Sequence, residues 1–279
     1  MKAQNNISVN NVNIVYHKRK NRRPLRHKVK IVSNKLKVLS CNASGLRNKL
    51  PSLSKIISDL QLSMFCIQET HFLKEGSIKF DNFQIFEKTR ETKSGGGLLV
   101  GALKDLNPIW IGDGGSTAEA MSIKVSVKDM DIRVVNAYGP QEYADNEKKT
   151  CFWEYLDNEA FLANVEGTGL YVAMDANSWL GDEILKGDPH KQNKNGEMFQ
   201  NFLERNPQLV VLNTETFCEG LITRSRAAND KVEHSVIDFV IVCDKVLSFI
   251  NKFTIDEQKK YALANNLQRG KLFAVITIL

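Results

Sequence analysis

Apolar residues along this chain fall into short runs, and four of the runs end on polar groups. The run 36–40 leads into Cys41-Asn42, and Met64-Phe65-Cys66-Ile67 leads into Gln68-Glu69-Thr70-His71. Val134-Val135-Asn136 leads into Ala137-Tyr138-Gly139-Pro140, and the run 170–174 leads into Asp175-Ala176-Asn177-Ser178. Such a run reads as a buried strand, and open α/β sheets carry their chemistry at the carboxyl ends of strands. One ending of this kind is an ordinary Asx or Gly-Pro turn. Four in series, in residue types suited to a cation and a phosphate, point to one shared site.

The same reading gives strands near 35–41, 63–69, 83–88, 97–103, 118–127, 131–138, 170–175, 208–213, 235–243 and 248–255. Helices are predicted near 51–61, 148–165 and 195–205. The first has Pro51 where a helix start tolerates it, with Leu50, Leu53, Ile56, Ile57 and Leu60 on one face. In the last, Met198, Phe199, Phe202 and Leu203 recur at helical spacing. These stripes read as core. The element pattern predicts an α/β (α+β) four-layer sandwich: two packed mixed β-sheets flanked by helices, which buries both faces of each sheet. Ser94-Gly95-Gly96-Gly97 precedes a strand rather than a helix, so it reads as a tight turn and not a phosphate-cradling loop.

Length adds one bound: 279 residues suit one large domain. No apolar stretch approaches the ~20 residues that span a bilayer, so no membrane partner is expected. Residues 1–10 are polar and lack a signal core. Cys41, Cys66, Cys151, Cys218 and Cys243 are scattered, mostly inside apolar runs, and lack zinc-type spacing. They read as thiols of a reducing, intracellular compartment.

Charge changes the picture more. The first acid is Asp59, and 14 of the 38 Lys and Arg precede it, leaving 24 basic against 32 acidic residues in the remainder. The densest stretch, 17–28, includes Arg19, Arg22 and Arg23. Like charges repel and rarely pack, so residues 1–33 read as a basic, disordered arm and 34–279 as the folded domain. Such an arm suits a phosphate backbone, through counterion release, and nuclear import. DNA is the expected partner, a nuclear site the expected location, and no stable protein partner is implied.

Phosphodiester hydrolysis needs a cation, groups that orient and deprotonate water, and donors for the phosphate oxygens. Glu69, Asp175, Asn177, Asn42 and Tyr138 match that list. Asp238 lies within the apolar run 235–242, where a carboxylate needs a partner, either structural or a histidine it orients.

Asn42, Gln68-Glu69-Thr70, Tyr138-Gly139-Pro140, Asp175-Ala176-Asn177 and Ser235-Val236-Ile237-Asp238, in that order, resemble the endonuclease/exonuclease/phosphatase superfamily, with its deoxyribonuclease I-like fold. More narrowly, Gln68-Glu69-Thr70-His71, the run 174–181 and Thr223-Arg224-Ser225-Arg226 resemble the endonuclease domain of animal non-LTR retrotransposons, over about residues 35–263. The resemblance implies a Mg²⁺- (or Mn²⁺-) dependent DNA endonuclease, a nickase of the type associated with reverse transcriptase. Glu69 would be the principal metal ligand, with Asn42 beside it. Asp175 would activate or orient the water, Asn177 would hold a phosphate oxygen, and Tyr138 would donate to the phosphate. Asp238 would brace the family's histidine, and Thr223 and Arg224 would contact the nucleic acid.

Two positions depart from the pattern. Ser44 stands where the family often has an acid, and the chain after about 265 lacks the closing Ser-Asp-His, although 273–279 suits a further strand. His71 reads as too close to Glu69 in sequence to face it, and His190 sits in a loop-like stretch. An inactive nucleic-acid-binding remnant and a phosphatase of the same superfamily are the alternatives.

Overall fold

The computed structural model describes residues 36–76, 78–90, 95–228, 231–257 and 273–278, together with short strands at 7–9, 12–14 and 25–27. The chain first lays down β1 (Leu36–Asn42), helix α1 (Leu50–Leu60), β2 (Met64–Gln68), β3 (Phe83–Lys88) and β4 (Leu98–Leu103). It crosses to a second sheet with β5 (Ile109–Asp113), β6 (Ala120–Val127), β7 (Met130–Tyr138), helix α2 (Asn146–Glu166), β8 (Gly169–Asp175), helix α3 (Lys194–Arg205) and β9 (Leu209–Val211). After the short β10 (Cys218–Glu219), a hairpin of β11 (Arg224–Ala228) and β12 (Lys231–Ser235) precedes β13 (Asp238–Cys243). The last strands are β14 (Ile250–Ile255) and β15 (Phe273–Ile278).

One sheet has the order β10-β14-β15-β1-β2-β4-β3, the other β9-β13-β8-β7-β6-β5. Each holds one parallel pair in its interior, β1 with β2 and β7 with β8. A parallel pair needs a crossover, and α1 and α2 supply the two. The four polar endings read from the sequence are the carboxyl ends of these four strands. Asn42 lies opposite Gln68, and Tyr138 opposite Asp175.

Alternation along the strands decides which side chains face which layer. Val38, Met64, Cys66, Leu98 and Val100 join Val134, Tyr171, Ala173 and Val240 in the core between the sheets. Leu39, Phe65, Ile67 and Leu99 point the other way, onto Leu53, Ile56 and Ile57 of α1. Gly101 makes room for Phe65, since a Cβ there would lie 2.1 Å from the ring's Cζ. Trp153 of α2 stacks on Phe199 of α3 at a centroid distance of 5.0 Å, covering the second sheet. One polar pair crosses the apolar interior. Buried Gln68 donates to Asn136 Oδ1 at 2.7 Å, and Asn136 Nδ2 donates to the carbonyls of Ile67 and Leu99 at 3.0 Å each.

The two packed mixed sheets and their helices are the architecture that the sequence pattern predicts. Several elements differ. β5 was not predicted, because Ile109 and Trp110 lie exposed on an edge strand next to Pro108. The β11–β12 hairpin has no apolar alternation, its sequence being largely Arg, Ser, Lys, Glu and His. The predicted strand 235–243 is divided, with Ser235 ending the hairpin and Asp238 opening β13. Asp238 is therefore half-buried at a strand's start rather than in its middle. β15 does add a strand, placing Phe273 opposite Cys41. The arm expected over 1–33 falls largely outside the described residues.

The five cysteines carry free thiols, and burial pushes the Cys41 and Cys66 thiols far up, so both stay protonated. Among the described residues no helix is long and apolar enough to cross a membrane. α3 starts at an Asn193 cap whose Oδ1 accepts from Gly196 N at 2.8 Å and also from Trp179 N at 3.1 Å. Replacing Asn193 by alanine is expected to cost about 1 kcal/mol, read as a shift in the urea midpoint.

Candidate active site

The two sheets meet at Asn42. Its Nδ2 donates to Glu69 Oε1 at 3.0 Å and to Asp175 Oδ2 at 2.7 Å, joining a carboxylate from each sheet. Its Oδ1 accepts from the Ser44 N–H at 2.9 Å. Asn42 therefore presents amide protons, not its oxygen, to Glu69. Ser44, in place of an acid, contributes a backbone N–H and a left-handed turn at φ 45°.

Glu69 follows β2 in the left-handed conformation, with φ 51°. Its carbonyl accepts from Gly45 N at 2.7 Å, and the Thr70 carbonyl accepts from Leu46 N at 3.0 Å. On the other side, Thr70 N and His71 N donate to the carbonyls of Gly97 and Gly96. The glycines lie so close that a Cβ on Gly97 would be 2.6 Å from Thr70 Oγ1. The Gly-rich segment is a turn that supports this loop. His71 is also left-handed, φ 56°, which swings its ring back over the loop. Its Nε2 lies 3.5 Å from Glu69 Oε2, so the expectation that His71 does not face Glu69 is corrected.

Tyr138, at the end of β7, sits beside both carboxylates. Burial, then the charges of Asp175 and Glu69, push its phenol well above the ordinary range, so it stays protonated. Gln141 Nε2 donates to its oxygen at 2.8 Å. Asp175 is fully buried, and its Oδ1 accepts from Asn177 N at 3.2 Å. Asn177, left-handed at φ 48°, donates from Nδ2 to the Gly139 carbonyl at 2.8 Å. Buried Asn195 of α3 fixes this loop by donating to the Ala176 carbonyl at 2.8 Å, and it accepts from Trp153 Nε1 at 3.0 Å. Asn195 and Gln141 were not among the sequence-predicted site residues. A lone amide in a helix and another in a loop carry no pattern.

No family model matches this sequence, and no curated protein does. Solved structures do match. The endonuclease domain of TRAS1, a telomere-specific non-LTR retrotransposon, is 16% identical over 87% of this chain and 98% of its own, with a TM-score of 0.64. The AP endonuclease LMAP from Leishmania major is 12% identical over 88% and 87%, with a TM-score of 0.66. The 3′-5′ exonuclease NExo from Neisseria meningitidis is 15% identical over 87% and 99%, with a TM-score of 0.65. This chain has the deoxyribonuclease I-like fold.

In this fold the remaining predicted residues take definite places. Asp238 lies opposite Asp175 across β8 and β13. Its carbonyl accepts from Asn213 Nδ2 at 3.1 Å. Thr223 is buried, and its Oγ1 accepts from the N–H groups of Ile237 at 2.9 Å and Asp238 at 3.1 Å, bracing the start of β13. Arg224, half-buried, opens the β11–β12 hairpin. The hairpin is tied back to the loop after Asn177. Trp179 stacks on His190 at 4.2 Å, and His190 Nε2 lies 2.9 Å from the carbonyl of His234. Arg19, Arg22 and Arg23 lie outside the described residues.

A groove of about 1270 Å³ leaves Tyr138 and runs past Pro140 and Tyr143 to Trp110, Lys88 and Arg90. Its cations are paired, Lys88 with Asp113 at 3.0 Å and Arg90 with Glu119. Glu69, whose Oε2 lies 3.5 Å from His71 Nε2, is the carboxylate here that could hold a divalent cation. Among the described residues no three His, Cys, Asp or Glu could hold a metal together.

Proposed function

We propose that this chain is a metal-dependent DNA endonuclease, a nickase of retrotransposon type. The observation that carries the reading is the Glu69–Asn42–Asp175 bridge across the two sheets, with the protonated Tyr138 beside it. Mg²⁺ or Mn²⁺ at Glu69 would supply charge neutralisation to the scissile phosphate. Asp175, held by Asn42 and the Asn177 N–H, orients and deprotonates the attacking water. Asn177 and Tyr138 donate to phosphate oxygens in the transition state, and their hydrogen bonds to Gly139 and Gln141 hold them in place. Asp238 lies beside Asp175 on the neighbouring strand. Retrotransposon type is supported by the motif order together with the likeness to the TRAS1 domain.

The test is nicking of supercoiled plasmid by the purified protein with Mg²⁺, alongside the Glu69→Ala variant. Nicking that the variant loses supports the reading, and nicking that survives it sinks it.

A second reading is nucleic-acid binding without catalysis. It predicts binding without nicking. Under both readings the basic arm carries affinity. Deleting residues 1–33 is expected to weaken duplex DNA binding by about tenfold or more at low salt and to flatten its salt dependence. Fluorescence anisotropy at several salt concentrations reads both. An unchanged salt slope would remove the arm from the interface.

A further inference from the structure

We propose that His71 Nε2 is a nitrogen ligand to the cation held at Glu69, and that the site therefore prefers Mn²⁺ to Mg²⁺ more strongly than an all-oxygen site does. The inference rests on the functional reading above, that Glu69 holds a cation.

The geometry divides the two oxygens of Glu69. Oε1 accepts from Asn42, and Oε2 is the one that faces His71, 3.5 Å from its Nε2. That separation is longer than the ~2.9–3.0 Å at which N–H···O bonds are commonest. It is close to the ~3 Å between neighbouring ligand atoms on one cation with bonds of about 2.1 Å. A small closing of the pair brings both atoms onto one ion.

The ring is held there by the backbone. His71 is left-handed, its N–H donates to the Gly96 carbonyl at 2.8 Å, and the loop cannot swing without breaking that bond. Gly45 leaves space for the ring, since a Cβ there would lie 3.3 Å from Nδ1. The His71 side chain is 37% exposed and that of Glu69 14%, so an ion reaches the pair from solvent. Water and a phosphate oxygen would complete the shell.

The chemical consequence is selectivity. Carboxylate and water suit Mg²⁺ and Mn²⁺ alike, whereas imidazole adds affinity for transition metals and little for Mg²⁺. If His71 only steadied Glu69 as a hydrogen-bond or ion-pair partner, its removal would change both affinities in the same proportion.

The test measures binding, not turnover. Full-length wild type, His71→Gln and Glu69→Gln are titrated with Mn²⁺, following the free-ion electron paramagnetic resonance signal, with Mg²⁺ as competitor. His71→Gln is expected to weaken Mn²⁺ by about tenfold while Mg²⁺ changes by less than about twofold. Pulsed resonance on the wild-type Mn²⁺ complex is expected to show imidazole ¹⁴N modulation, altered by ¹⁵N-histidine labelling. That readout needs no variant to fold. Parallel loss of both ions, or no imidazole modulation, overturns the ligand role of His71 while leaving Glu69 in place. Mn²⁺ binding that survives Glu69→Gln overturns the cation site and this inference together.

Discussion

Glu69→Ala is expected to reduce plasmid nicking by at least about 10³-fold while leaving DNA affinity within about threefold. A cation that neutralises charge on a transferring phosphate contributes several kcal/mol, and each ~1.4 kcal/mol is tenfold in rate. On the proposed function, binding of the duplex would fall to the arm and to surfaces remote from this carboxylate, since phosphate contacts add up over many residues. The fold is expected to survive. Glu69 lies in a loop after β2, and its removal leaves Asn42 Nδ2 bonded to Asp175 Oδ2 at 2.7 Å. Far-ultraviolet circular dichroism and the thermal midpoint check that. Loss of nicking and binding together would mean that Glu69 acts on DNA docking and not on the chemical step.

The four strand endings were legible in the sequence because burial imposes a sharp rule on them. A strand covered on both faces is apolar throughout, so a polar residue at its end stands out. Asn42, Glu69, Tyr138 and Asp175 come together in the structure because they close two parallel pairs. Elements that are exposed on both sides leave no such mark, which hid Ile109–Asp113 and the Arg224–Ser235 hairpin. Long-range amides were hidden for a different reason. Asn195 meets Trp153 and the Ala176 carbonyl across 42 and 19 residues, and no local pattern encodes those pairs. His71 was misjudged because non-glycine residues seldom adopt positive φ, and here Glu69 and His71 both do. Two such residues in one loop are costly, which is typical where a site is assembled.

Asn136→Leu is expected to lower the unfolding free energy by about 3 kcal/mol, and the reason links the core to the site. Asn136 is fully buried between the sheets, accepting one hydrogen bond from Gln68 and donating two to the β2 and β4 carbonyls. Leucine fills comparable space but removes the 2.7 Å acceptor of the Gln68 amide, which keeps a long 3.5 Å contact to Ser40 Oγ in an apolar interior. A buried group so stranded costs about 1–3 kcal/mol, and the lost bonds to Ile67 and Leu99 add to it. The asymmetry gives a sharp check. Gln68→Leu alone should be similarly costly, but in the Asn136→Leu background it removes the stranded amide and should cost little more. A double-mutant cycle by urea unfolding is then non-additive by about 1–3 kcal/mol. Additive costs would show that the two amides do not depend on each other. The effect reaches the chemistry through the chain itself. Gln68 immediately precedes Glu69, and Asn136 lies two residues before Tyr138 on the same strand. The pair fixes how far apart the two sheets hold those residues, so the variant should also lose nicking more steeply than its folded fraction falls. Nicking that falls only with the folded fraction would confine the pair to stability.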